Sequence, residues 1–171
     1  MEKFENTPHL SEKEITWKNK MAELDAYGSN EGDDIPIDEG IKESIAALNL
    51  LGIPTTSSCS GRPEDHDRSG GFPTLQGVLE DDPKGNDSAR ESVQQLLAEF
   101  NGEHSTKLPL QLNPYVTDGY RIESPASITG EDGNYIGIES VDGYNQEEMA
   151  QEARKEFDKF TEFLKRKISS D

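Results

Sequence analysis

From Met149 to Ile168 apolar residues recur at every third or fourth position: Met149, Ala153, Phe157, Phe160, Leu164 and Ile168. This is the period of an α-helix with one apolar face. So long a face is not stable against water, and the rest of the chain must supply an apolar layer to cover it. Asn145 and Glu148 stand at the spacing of a reciprocal N-terminal cap. Lys165, Arg166 and Lys167 place cations at the negative end of the helix dipole.

The covering elements can be read upstream. Ser11 and Glu14 have capping-box spacing, Leu10 and Ile15 can staple across it, and Trp17, Met21 and Leu24 continue the stripe to Tyr27-Gly28. Asp38 is placed to cap a second helix carrying Ile41, Ile45 and Leu48, with Gly52 as its C-terminal cap. The segment Ile53 to Ser58 is rich in β-branched residues and predicts a strand, which puts Cys59 at its exit. Thr74 to Glu80 predicts a second strand with Leu75, Gly77 and Leu79 on one face. Ser88 and Glu91 suggest a cap for a third helix carrying Ala89, Val93, Leu96, Leu97 and Phe100 and ending at Asn101-Gly102. Leu108, Leu110 and Leu112 alternate, as do Tyr120, Ile122 and Ser124. The turn from Gly130 to Asn134 leads into Tyr135 to Ser140, which reads as a hairpin.

The resulting order, α-α-β-β-α-β-β-β-α, has spacers too uneven for repeating βαβ units. It predicts an α+β fold: a mixed, largely antiparallel sheet with helices packed mainly on one face. At 171 residues the chain is expected to form one domain, with a flexible N-terminal segment 1–10 and loops at 28–36 and 62–72. Hydrophobic residues make up 31% of it, enough for one modest core. No apolar run is long enough to cross a membrane. The N-terminus lacks the basic start and apolar stretch of a signal peptide, and the single cysteine precludes an internal disulfide, so a cytoplasmic location is expected. Thirty-five acidic residues against 17 Lys and Arg give a formal charge of −18, which argues against a surface built to neutralise phosphates. It suits a solvated surface, or one that takes a basic protein partner.

The residues with most chemical capacity lie together in Thr55-Thr56-Ser57-Ser58-Cys59-Ser60-Gly61-Arg62. Hydroxyls and backbone N–H groups of Thr56, Ser57, Ser58 and Ser60 can satisfy a polar ligand. Gly61 permits a positive φ or a close backbone approach, and Arg62 offers a planar fork to a carboxylate or phosphate. The bland alternative is an inert cysteine beside hydroxyls that satisfy local backbone groups. A catalytic Cys59 would need a base, and His66 or His104 could serve a thiol hydrolase. A Cys/His/Asp site drawn from Cys59 and His66 within Pro63-Glu64-Asp65-His66-Asp67 lacks the paired ligand spacing of a zinc site, so no metal is expected. His9, ahead of the first helix, reads as a surface residue.

Several of these residues also carry a family resemblance. Trp17-Lys18, Leu24-Asp25, Ile37-Asp38-Glu39, Leu48-Asn49 and the whole run from Thr55 to Arg62 occur in that order. In this the chain resembles the N-terminal part of the wybutosine-synthesis N4-methyltransferase family, which modifies a guanosine-derived base of phenylalanine tRNA. The final amphipathic helix is similar in placement, and small bacterial proteins with a related Leu-Gly-Ile to Cys-x-Gly run look similar as well. After Arg62 the family continues into an apolar strand, whereas this chain turns polar through Pro63 to Asp67. The resemblance implies S-adenosylmethionine as methyl donor. In that setting Arg62 would meet the donor's carboxylate or a substrate phosphate, and Thr56 to Gly61 would shape the pocket. Cys59 would line it without having to react. Given the charge, tight tRNA binding is not expected.

Overall fold

In a computed structural model of the chain, residues 11–27, 37–63, 71–79, 81–128, 130, 137 and 143–170 are described. The N-terminal segment 1–10, loop 28–36, most of loop 62–72, His9, His66 and most of the expected 130–140 hairpin lie outside them.

The described elements are α1 (Glu12–Ala26), α2 (Glu39–Leu50), β1 (Ser57–Cys59), β2 (Thr74–Gly77), α3 (Pro83–Glu103), β3 (Gln111–Leu112), β4 (Tyr120–Glu123) and α4 (Gln146–Ser170). A 3-10 turn, Pro125–Ser127, follows β4. The strands form an antiparallel sheet in the order β1-β2-β4-β3. Together with the helices this is the α+β fold expected, and among the described residues every pairing is antiparallel.

Register explains why one sheet face belongs to the core. Leu75 and Leu112 both stand opposite Ile122, and Tyr120 is two residues away, so all four project to the same side. The buried residues around them come from all four helices: Leu24, Ile41, Ile45, Leu48, Val93, Phe100, Phe157 and Phe160 belong to one continuous cluster. Phe100 of α3 meets Phe160 and Phe163 of α4 edge-on, at ring-centroid distances of 5.2 and 5.7 Å, an arrangement aromatic pairs favour. No described helix is long and apolar enough to cross a membrane.

The local signals explain most helix starts. Ser11 and Glu14 form the reciprocal cap of α1, and Asn145 and Glu148 exchange the same pair of hydrogen bonds at α4. At α3 the expectation needs correcting: the helix begins at Pro83, five residues ahead of Ser88, because Asp82 caps it through Gly85 N and Pro83 is pre-set for the first turn. Ser88 is then interior to the helix. β1 is also shorter than expected. Ile53 to Thr56 runs toward it outside the strand, and Pro54, which has no N–H, gives its carbonyl to the buried Tyr120 hydroxyl at 2.8 Å.

Candidate functional site

The segment Thr55 to Arg62 divides into two halves with different surroundings. The first half forms one wall of a cleft of about 440 Å³, facing α1 and α2. Among the described residues β1 is an edge strand paired with β2 alone, in the register Ser57 to Gln76, Ser58 to Leu75 and Cys59 to Thr74. This leaves its outer side available to something other than a strand.

The hydroxyls along this wall are not equivalent. Thr55 Oγ1 lies 3.1 Å from the Tyr120 hydroxyl, and Thr56 Oγ1 accepts from Val78 N at 3.1 Å, so both threonines tie the segment to its neighbours. The Ser57 and Ser58 hydroxyls have no hydrogen-bond partner among the described residues. Across the cleft stand Glu23 and Tyr27 of α1, and Asn49 near the end of α2. Tyr27 is 53% exposed, high for so large an aromatic, and is among the residues lining the cleft. Glu23 pairs with Lys20 at 2.7 Å, and among the described residues no lysine or arginine lines the cleft itself. The arrangement can stack a planar group on Tyr27, hydrogen-bond it through Ser57, Ser58 and Asn49, and place a carboxylate beside positive charge.

The second half is a clamped turn. Ser60 is buried; its backbone N–H donates to Asp38 Oδ2 at 2.9 Å, and its hydroxyl accepts from Arg62 N at 3.1 Å. Asp38 precedes α2 as its N-cap residue but makes no side-chain cap bond, its carboxylate serving the Ser60 turn instead. Gly61 has φ +65°, and an added Cβ would come within 2.6–2.8 Å of the backbone of Gly71, Phe72 and Pro73. From the far end of the chain, Arg154 of α4 donates to Gly61 O at 2.9 Å and to Gly71 O at 3.0 Å. One turn on, Asp158 pairs with Arg62 at 2.5 Å.

Arg62 therefore stands apart from the Thr55–Ser58 cleft. It lines a separate opening of about 320 Å³ together with Glu39, Glu43, Asp158 and Glu162. Four carboxylates around one guanidinium make a poor place for an added phosphate or carboxylate. Cys59 is half-buried and lines neither opening. His104 is not brought to it. That histidine caps the C-terminal end of α3, stacks on Phe100 at 4.5 Å, and shares a 2.9 Å hydrogen bond between Nδ1 and Phe100 O. It leads into β3, the sheet edge opposite β1, about 14 Å away at ordinary strand spacing. His66 lies outside the described residues, and no group of metal-ligating side chains occurs among those described.

Burial pushes the Tyr120 hydroxyl up to about 12, the hydrogen bond with Thr55 acting the other way. Lys42, nearly buried on α2, is raised by its hydrogen bonds to Asp25 and Glu39, and the Asp25 contact fastens α1 to α2 beside the cleft.

Sequence reasoning found the Thr55–Ser58 wall but missed Glu23, Tyr27 and Asn49 opposite. A signal was present: Leu24, Ile37 and Asn49, all landmarks of the resemblance, line the same cleft, while Asp25 and Asp38 hold its borders. Trp17 and Lys18 do not join them; they line a groove between α1 and the end of α4. Against known proteins, no family model matches the chain, and neither a curated protein nor a solved structure matches it.

Proposed function

We propose that the cleft between β1, α1 and α2 binds a nucleoside-type ligand carrying positive charge, with S-adenosylmethionine as the compound that fits best, and that the chain acts as a methyltransferase-like protein. The observation that carries this reading is the convergence of unfilled hydrogen-bonding groups on one cleft beside an exposed ring. Ser57, Ser58 and Asn49 offer donors and acceptors to a base or ribose, Tyr27 offers a stacking face, and Glu23 favours a cation. A phosphorylated nucleotide fits less well, because among the described residues no basic side chain lines the cleft. S-adenosylmethionine, with a sulfonium and an ammonium against one carboxylate, has the sign of charge the lining favours.

The resemblance carried by Leu24-Asp25, Ile37-Asp38, Leu48-Asn49 and Thr55 to Arg62 supports the same choice. Methyl transfer needs chiefly that donor and acceptor be held in line, so a lining without an acid–base pair suits it. In this reading Ser60, Gly61 and Arg62 are positioning residues that hold the turn beneath the wall. Arg62 is assigned to α4 rather than to the ligand.

Calorimetric titration with S-adenosylmethionine, adenosine and adenosine monophosphate tests the proposal. The expected order of affinity is S-adenosylmethionine first, adenosine next and the monophosphate last. Tyr27→Ala should weaken the first two by about 1–3 kcal/mol, the usual worth of a base stacked on an aromatic ring. Absence of binding by all three, or preference for the monophosphate, would remove this reading.

A further inference from the structure

The Trp17-Lys18 pair lies apart from the nucleoside cleft, and its surroundings form a second opening of about 240 Å³ between α1 and the end of α4. On α1, Lys13 with Trp17 and Glu14 with Lys18 stand four residues apart and so share one side of the helix. Lys165, Ile168 and Ser169 are neighbours in the same way on the last turns of α4. Trp17 and Ile168, both half-buried, pack on the core and supply the apolar part of the groove, with the methylene stems of the lysines beside them. The volume is below that of sites for drug-sized molecules, so an occupant must be small.

The charge of this groove runs against that of the chain. Three lysines less one glutamate give its described lining +2, on a chain of −18. The lysines are not equally available. Lys165 is spent on Glu162 at 2.9 Å and Glu43 at 3.2 Å, and its Nζ stands 6.0 Å from the centre of the Trp17 ring. Lys13 donates to the Ser169 carbonyl at 2.9 Å, a neutral acceptor that leaves its charge unpaired among the described residues. Lys18 is exposed and has neither a hydrogen bond nor an ion pair among those residues. Glu14, one turn before it, acts on Lys18 only through space, because its Oε2 is taken by the Ser11 N–H at 2.7 Å and hydroxyl at 2.8 Å.

Two unspent ammonium groups beside an apolar surface fit an anion with an apolar body. Lysines are point charges without the planar fork that matches phosphate, and the field of so acidic a chain opposes a multiply charged ion. A monoanion loses least to that field. Its apolar body adds the contact that exposed charge pairs alone do not supply.

We infer that this groove binds a small carboxylate with an apolar body, such as a medium-chain fatty acid, with its carboxylate at Lys13 and Lys18 and its body along Trp17 and Ile168. The inference does not depend on the nucleoside reading, since the groove and the Thr55–Ser58 cleft share no residue.

Trp17 is the chain's only tryptophan, so its fluorescence reports this groove alone. The test titrates the full chain with octanoate and follows Trp17 emission and amide shifts. Octanol, octylamine and acetate are the controls; they remove the charge, reverse it and remove the body, respectively. Octanoate at millimolar concentration should move Trp17 emission to shorter wavelength and shift amides at 13–18 and 165–169, leaving those of Thr55–Ser58 unmoved. Each control should bind at least about fivefold more weakly, since either two exposed charge pairs or the whole apolar contact is lost. Lys18→Met keeps an apolar stem at an exposed position. It should weaken octanoate by about two- to fivefold, the range of one exposed charge pair, and leave octanol unchanged. The inference is overturned if octanoate moves neither Trp17 emission nor the local amides, or if its shifts scatter over the whole surface. Octanol or octylamine binding as well as octanoate would overturn it too, as would Lys18→Met binding octanoate like the unaltered chain.

Discussion

Replacing Gly61 with alanine separates two demands that the turn makes on one residue. At φ +65° the backbone is in the left-handed region, where a side chain costs about 1–2 kcal/mol. The new Cβ would also lie 2.6 Å from Gly71 O, 2.7 Å from Pro73 N and 2.8 Å from Phe72 C. These are backbone atoms of a segment held by Arg154, and they cannot rotate away as a side-chain tip would. Overpacking of this kind typically adds about 1–3 kcal/mol. The sum is about 2–5 kcal/mol, which at about 2–4 °C per kcal/mol lowers Tm by about 4–20 °C for a chain of this length. Gly52 is the matched control: its φ is +77°, but nothing lies within 4 Å of an added Cβ. Gly52→Ala should therefore show the backbone cost alone, about 2–8 °C, and the change in unfolded-chain entropy is common to both variants. Thermal melts followed by circular dichroism measure the difference. If Gly61→Ala melts no lower than Gly52→Ala, the 71–73 backbone yields without cost and the clamped-turn argument is wrong.

Tyr120 gives the fold an alkaline limit. Its folded value of about 12 lies above the ordinary 10.0, so the corresponding stability is complete below pH 10 and is lost as pH rises toward 12. The difference amounts to about 3 kcal/mol, and Tyr120→Phe should flatten that part of the stability–pH curve in denaturant melts. Lys42 is shifted in the same direction, so the variant's curve retains the lysine part of the decline. The Arg62–Asp158 pair has side chains 30% and 55% exposed, a setting worth about 0–1 kcal/mol. Arg62→Ala should therefore lower Tm by less than about 4 °C and leave S-adenosylmethionine titrations unchanged; a fall as large as that of Gly61→Ala would mark a core ion pair instead. Cys59→Ser should leave both Tm and ligand titration close to those of the unaltered chain, whereas loss of a measurable turnover in that variant alone would restore the thiol-hydrolase reading.

What could be read from the sequence was what neighbouring residues decide among themselves. Ser11 with Glu14, and Asn145 with Glu148, are contacts three residues apart, and both reciprocal caps formed. The start of α3 was misplaced for a local reason too: Lys84-Gly85-Asn86-Asp87 has a loop's composition, but Asp82-Pro83 already sets the helix going. The alternating face of Leu75, Tyr120 and Ile122 was legible because a strand's period is two. Long-range partnerships were not legible. Asp38 had the composition of a helix cap, and only the fold shows that its carboxylate reaches Ser60. Arg62 looked like an anion receptor because Asp158, 96 residues away in sequence, is invisible to any local pattern. Tyr27 was read as the end of an amphipathic helix and Glu23 was not singled out, because their place opposite Ser57 and Ser58 depends on how α1 packs against α2.

The grip of Arg154 on Gly61 and Gly71 has a consequence for how the chain is made. The donor follows its acceptors by 93 and 83 residues, so the turn leaves the ribosome long before the side chain that closes it. At about 5–20 residues per second, roughly 5–20 s pass between synthesis of Gly61 and synthesis of Arg154. Through that interval Asp38 can hold the turn at Ser60, but the contacts that tie Gly61 to Gly71 are missing. The nascent chain therefore cannot present a finished cleft, and completion of the site is tied to the arrival of the last helix.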